Sequence, residues 1–223
     1  MVKAIIFDLD NTLIDFMRIK KSSIDAAIAA MIAAGLRMSK DEATKALFEL
    51  YDEYGIEYQE IFQKFLEKVH KNVDFRILAA GVVAYRKLQQ GLLEPYPKVV
   101  PTLMRLKERG YKLAILSDAP RLKAWIRLSE MRIADFFDVV ITFDDTGEYK
   151  PSKTPFIRVL KELEIKPEEC LMVGDSIRRD IEGAKAAGIL TVFARYGATK
   201  EIEKSGADYE INGIEELLNI LKN

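Results

Sequence analysis

At 223 residues the chain is long enough to bury one substantial core or two small ones, so a single domain carrying a large insertion fits its length. Hydrophobic residues make up 49% and charged residues 31%, with a formal net charge of -1, which excludes a disordered or fibrous polymer and leaves no basic surplus for nucleic acid. The single cysteine, Cys170, excludes an internal disulfide, and Met1-Val2-Lys3 leads into an apolar run with no signal-peptide pattern, so a reducing, cytoplasmic setting without a membrane partner is expected.

The first predicted element is Lys3-Ala4-Ile5-Ile6-Phe7, a short continuous apolar run that stops at acidic and turn-forming residues, as a strand buried on both faces does. From about residue 15 to residue 91 the texture changes to helical periodicity with no strand. Ile24, Ile28, Met31, Ile32 and Leu36 recur at helical spacing, and Gly35 closes that helix. Ser39 followed by Glu42 matches a capping box opening a second helix, with Ala43, Leu47, Leu50 and Tyr54 as its stripe and Gly55 at its end. A third helix is predicted over Tyr58 to Lys71 and a fourth over about Asp74 to Gln90. Glu94-Pro95-Tyr96-Pro97 then breaks helix and stiffens the return, as a boundary between domains requires.

Apolar runs return at Lys112 to Leu116, Val139 to Phe143, Cys170 to Val173 and Leu190 to Ala194, separated by amphipathic stretches. Asp208 to Asn212 reads as an edge strand before a final helix on Ile214, Leu217, Leu218 and Leu221. The expected fold is α/β, a doubly wound parallel sheet over residues 1–14 and 92–223 with an inserted α-helical domain over 15–91. The basic pairs Lys20-Lys21 and Arg178-Arg179 read as solvated faces, and His70, Trp125 and the tyrosines Tyr51, Tyr54 and Tyr58 as packing or surface groups.

In an open parallel sheet, ligands bind beyond the carboxyl ends of the strands, so the residues just after each apolar run carry the information. Those are Asp8-Leu9-Asp10-Asn11-Thr12, Ser117-Asp118, the loop leading to Lys150, and Gly174-Asp175-Ser176 with Asp180. Carboxylates gathered at one edge repel each other unless a cation shares them, and oxygen donors without histidine or cysteine select Mg2+. Each residue alone has a plainer reading. Asp8 and Asp10 suit the start of a turn, Ser117 a helix cap, and Asp180 a surface partner for Arg178 or Arg179, while Lys153 competes with Lys150.

Taken in order, these motifs resemble those of the haloacid dehalogenase superfamily, a broad class of phosphatases, phosphomutases and dehalogenases. Asp8-Leu9-Asp10-Asn11-Thr12 resembles its first motif, Ser117 its second, Lys150 in Tyr149-Lys150-Pro151 its third, and Gly174-Asp175 with Asp180 its fourth. The resemblance implies a Rossmann-like core of strand order 5-4-1-2-3, with a helical cap between the first two motifs. It implies Asp8 as nucleophile through an aspartyl-phosphate, and Asp10 as general acid and base. It implies Mg2+ held by Asp8, the Asp10 carbonyl and Asp175, and phosphate bound by Ser117 and Lys150. Asp180 and Thr12 stand behind these groups, with Asp180 orienting Lys150 or a metal-bound water. Asp118 occupies a position where many relatives carry Asn, which leaves its side-chain role open.

Ile14-Asp15-Phe16-Met17-Arg18 joins the core to the insertion and reads as a linker, with Phe16 and Arg18 as candidate contacts to the leaving group. The implied activity is Mg2+-dependent hydrolysis of a small phosphorylated metabolite. A phosphomutase shares all four motifs. A dehalogenase generally lacks the second aspartate, so Asp10 counts against it, and a non-catalytic phosphate-binding regulator has no need of Asp8 with Asp10. A receiver domain phosphorylates an aspartate after its third strand and carries no such insertion, so it is excluded. Oligomeric state and natural substrate leave no readable signal.

Overall fold

The strand β1 (Ala4–Phe7) is buried along its whole length, a condition met only when both faces of its sheet are covered. The computed structural model describes residues 1–70 and 72–221. The chain forms two compact units, Met1–Phe16 with Glu94–Asn223, and Met17–Leu93. After β1 come four helices, α1 (Phe16–Ala33), α2 (Lys40–Tyr54), α3 (Ile61–His70) and α4 (Phe75–Leu92). The chain continues through α5 (Val99–Glu108), β2 (Lys112–Leu116), α6 (Arg121–Glu130), β3 (Val139–Ile141), α7 (Phe143–Thr146), α8 (Lys153–Leu163) and β4 (Cys170–Gly174). A π-helical segment, Ile177–Glu182, leads into α9 (Gly183–Ala186), followed by β5 (Leu190–Ala194), β6 (Tyr209–Ile211) and α10 (Leu217–Ile220). Among the described residues no helix is long and apolar enough to cross a membrane.

All strand pairs are parallel, in the order β3-β2-β1-β4-β5-β6. This contains the run 5-4-1-2-3, with β6 added outside β5. Strand period sorts the core. Ala4, Ile6, Ala114, Leu116, Cys170 and Met172 face Phe156, Val159, Leu160 and Leu163 of α8, while the intervening Ile5, Phe7, Leu113 and Ile115 are buried on the other side. Cys170 is a packed hydrophobe whose thiol burial pushes up to about 12, which leaves it unreactive. Register decides where chemistry gathers. Phe7 pairs with Ile115 and with Val173, so Asp8, Ser117 and Asp175 leave the sheet at one edge, beside the point between β1 and β4 where strand order reverses.

The helical unit has its own core, built by Ile24, Ala27, Ile28 and Met31 of α1, Leu47 and Leu50 of α2, Phe62, Phe65 and Leu66 of α3, and Ile77 of α4. The expected capping box is present, with Ser39 Oγ accepting from Glu42 N–H at 3.3 Å and Glu42 accepting from Ser39 N–H at 3.0 Å. Asp74 caps α4 by accepting from the Arg76 N–H at 2.9 Å. The predicted end of the third helix at Lys71 lies outside the described residues.

Several expectations need correction. The stretch Phe16-Met17-Arg18 is no linker but the first turn of α1. Lys20 is not solvated: it is 5% exposed, with its ammonium 4.4 Å from the Tyr51 ring centroid and 5.4 Å from that of Tyr85. The third strand is shorter than its apolar run, because Thr142 leaves the sheet to cap α7 in a capping box with Asp145. The terminal helix reduces to a 3-10 turn and the single turn of α10, although Ile214, Leu217 and Leu221 are buried as expected.

One glycine fixes the loop of the first motif. A Cβ on Gly197, in the turn after β5, would lie 1.7 Å from the Asn11 carbonyl oxygen and 3.0 Å from the Asp175 Cβ. Gly197→Ala therefore forces backbone apart and is expected to destabilise the chain by roughly 1–3 kcal/mol. Gly91→Ala, where a Cβ meets nothing within 4 Å, serves as the control. Guanidinium denaturation midpoints check the pair, and equal midpoints would refute the close approach.

Candidate active site

The sheet delivers Asp8 directly, since its N–H donates to the Val173 carbonyl at 2.9 Å and continues the β1–β4 ladder by one residue. Beyond it the chain turns sharply. Leu13 N–H donates to the Leu9 carbonyl at 2.9 Å, and Asn11 sits at φ 62°, a left-handed conformation that asparagine tolerates. Thr12 Oγ1 donates to Asp8 Oδ2 at 3.3 Å.

Lys150 is the centre of the site. Its ammonium donates to Asp8 Oδ1 at 2.5 Å, Asp180 Oδ1 at 2.7 Å and the Leu116 carbonyl at 2.9 Å. An ammonium has three protons, and each has an acceptor. Burial works against the charge on Lys150, but Asp180 and Asp8 outweigh it and hold the group protonated. The competing Lys153 is exposed at the start of α8.

Asp180 is fully buried rather than a surface partner of the neighbouring arginines. One of its oxygens accepts from Lys150 and the other from Ser176 N–H at 3.0 Å. The π-helical segment swings it inward, and Gly174 makes room, since a Cβ there would meet the Asp180 carboxyl carbon at 2.4 Å. Asp118 accepts from the Lys150 backbone N–H at 2.9 Å and faces Arg179 Nη1 at 3.5 Å. Its side chain thus ties the loop carrying Lys150 to the end of β2, which gives the residue a task as Asp. Ser117 is buried, and its Oγ accepts from Ala119 N–H at 3.1 Å. It does not cap α6, whose N-cap residue is Pro120.

Asp175 is 7% exposed, and its Oδ1 is buried without a hydrogen-bond partner. Burial first, then the charges of Asp8 and Asp180, push its carboxyl up to about 8. Oxygens of Asp8, Asp175 and Asp180 lie within 4.8 Å of one another. Three carboxylates share one ammonium, and the raised Asp175 carboxyl shows that the third negative charge is poorly compensated, a lack that a divalent cation would meet. The donor set is entirely hard oxygen, and Asp175 offers an unused ligand atom, so these residues fit such an ion.

The side chains of Phe16 and Arg18 part company. Phe16 is buried with its ring 4.5 Å from the guanidinium carbon of Arg127, whereas Arg18 is exposed and belongs to the helical unit. One cation escaped the sequence reading, and another was read only as a solvated face. Arg127 donates to Asp10 Oδ2 at 2.9 Å with only 5% of its side chain exposed. Arg179 is partly buried, and the charges of Asp8, Asp180, Asp118 and Asp175 overcome that burial to keep it charged. The available signal for Arg127 was its place on the stripe of Ala124 and Leu128, the buried residues of α6.

Comparison with known proteins places the chain in a family. Residues 2–188 match the family model described as haloacid dehalogenase-like hydrolase. The chain is 36% identical over 228 residues to a glyceraldehyde 3-phosphate phosphatase of Methanopyrus kandleri, covering 100% of this chain and 98% of the relative. It is 33% identical over 236 residues to a phosphoglycolate phosphatase of Aquifex aeolicus, covering 100% and 98%. The crystal structure of a HAD phosphatase from Thermococcus onnurineus superimposes with a TM-score of 0.74 at 28% identity, over 99% of this chain and 98% of that one. Matched over residues 2–188 by the family model and over its whole length by these relatives, the chain belongs to the haloacid dehalogenase-like hydrolase family.

Proposed function

We propose that this hydrolase is a Mg2+-dependent phosphatase of small phosphomonoesters, working through an aspartyl-phosphate on Asp8. The observation that carries the reading is Asp8 itself, held at the sheet edge by Lys150 at 2.5 Å and flanked by the unpartnered oxygen of Asp175. The relatives named above act on glyceraldehyde 3-phosphate and phosphoglycolate by their descriptions, so a two- or three-carbon phosphomonoester is the substrate class we assign.

In this mechanism an Asp8 oxygen attacks phosphorus and the ester oxygen leaves, dividing one displacement into two easier ones. Asp10 donates its proton to the departing alkoxide, then removes one from the water that attacks the phospho-Asp8. Lys150 neutralises Asp8 as the phosphate approaches, while Ser117 with the neighbouring backbone N–H groups binds phosphoryl oxygens. Asp8, Asp175 and the Asp10 carbonyl would hold Mg2+, which would supply the positive charge that lets one anion approach another. Asp180, with both oxygens engaged, positions Lys150.

Asp8→Asn is expected to abolish phosphate release while circular dichroism and melting temperature show an intact fold. Unchanged turnover would sink the mechanism. Asp10→Asn is expected to slow an alkyl monophosphate far more than p-nitrophenyl phosphate, whose leaving group needs no proton; equal slowing would remove the acid-base assignment and leave the nucleophile standing.

The metal assignment has a readout independent of activity. With the Asp175 carboxyl raised from 3.8 to about 8, the metal-free folded chain retains a proton that the unfolded chain releases. Its contribution to stability is therefore lost as pH rises through that window, and a cation that replaces the proton restores it. The rise in melting temperature on adding Mg2+ is expected to be larger at about pH 8 than at about pH 5, and to vanish in Asp175→Asn. A pH-independent increment would contradict the assignment.

A further inference from the structure

The helix α6 is built inside out. Leu122, Trp125 and Ile126 are 71%, 42% and 42% exposed, while the charged Arg127 is buried with Ala124 and Leu128. Burying a guanidinium is costly unless every part of it is engaged. Here Asp10 and Phe16 are among the groups that grip it. Asp10 Oδ2 accepts from Nη1 at 2.9 Å, and the Phe16 ring lies 4.5 Å from the guanidinium carbon. A planar fork fixed by a ring on one side presents its N–H in one direction only, which a flexible ammonium does not.

We propose that Arg127 is a positioning residue for this reaction, aiming the Asp10 carboxylate along the line of proton transfer to and from the reacting oxygens. The inference rests on the reading of Asp10 as general acid and base. Arg127 keeps its own protons throughout. The proton that Asp10 gives to the leaving alkoxide, as its bond to phosphorus breaks, returns from the attacking water in the second half of the reaction. What Arg127 supplies is direction, and a misplacement of about 1 Å in such a group costs on the order of 100-fold in rate.

The experiment uses the full chain with Mg2+ and compares kcat for an alkyl monophosphate with kcat for p-nitrophenyl phosphate. Arg127→Met is expected to lower the first by about 10- to 100-fold and the second by less than about threefold. Arg127→Lys, which retains a buried charge and so guards against misfolding, is expected to show a smaller deficit of the same selectivity. In the Asp10→Asn background, Arg127→Met is expected to add no further loss, because its only route to the chemistry is already cut. An equal fall for both substrates in both Arg127 variants, or additive losses in the double variant, would reduce Arg127 to a structural residue and overturn the inference alone. Equal slowing of the two substrates by Asp10→Asn by itself would overturn the reading of Asp10 and this inference with it.

Discussion

The site depends on one buried ammonium. Lys150 donates to Asp8, Asp180 and the Leu116 carbonyl, which come from β1, the π-helical segment after β4, and β2. Because all three donors are taken, the lysine has no alternative partner and its position is set by the strands themselves. The register that aligns Phe7 with Ile115 and Val173 is therefore also what aligns the charge. Shifting any of these strands by one residue would reverse which side chains face the core and dissolve the cluster at the same time. Stability of the sheet and geometry of the site are one constraint.

The strands and the carboxyl-end residues were legible because both follow from local pattern. A short apolar run ending in Asp-Leu-Asp-Asn-Thr states a buried strand and the residues it delivers, and Asp8, Lys150 and Asp175 meet as expected. Helix periodicity and the Ser39–Glu42 box likewise gave the four helices of the insertion. Short terminal elements read less well. Thr142 and the residues around Leu217 depart from their apolar runs because capping and 3-10 hydrogen bonds are decided within one turn, below the length at which periodicity carries information.

Cations whose partners lie far along the chain were the hardest to place. Lys20 and Arg179 read as solvated and Arg127 drew no reading at all, since a charge without a visible partner is normally exposed. Their partners are distant in sequence: Tyr51 and Tyr85 for Lys20, Asp10 and Phe16 for Arg127, Asp118 for Arg179. Position on a stripe was the only local clue, and for Arg127 it lay beside Leu128 on the buried side of α6.

The aspartates show how identical side chains acquire different tasks from their surroundings. Asp8, Asp175 and Asp180 sit close enough together to form a metal triad by distance alone. Their hydrogen bonds separate them. Asp180 spends one oxygen on Lys150 and the other on the Ser176 N–H, so it has no lone oxygen turned toward an ion. Asp175 has Oδ1 buried and unpartnered, and its raised carboxyl keeps a proton that a bound cation would displace. Asp8 lies between, with one oxygen on Lys150 and the other only 3.3 Å from the Thr12 hydroxyl, a contact weak enough to yield. Asp10, turned to Arg127, stands outside the triad and is the one carboxylate whose side chain is reserved for protons rather than for cations in our mechanism. The difference among them is thus written in which oxygens are already engaged, and Gly174 underlies it, because only a residue without a Cβ allows Asp180 to reach Lys150 while Asp175 Oδ1 stays unpartnered.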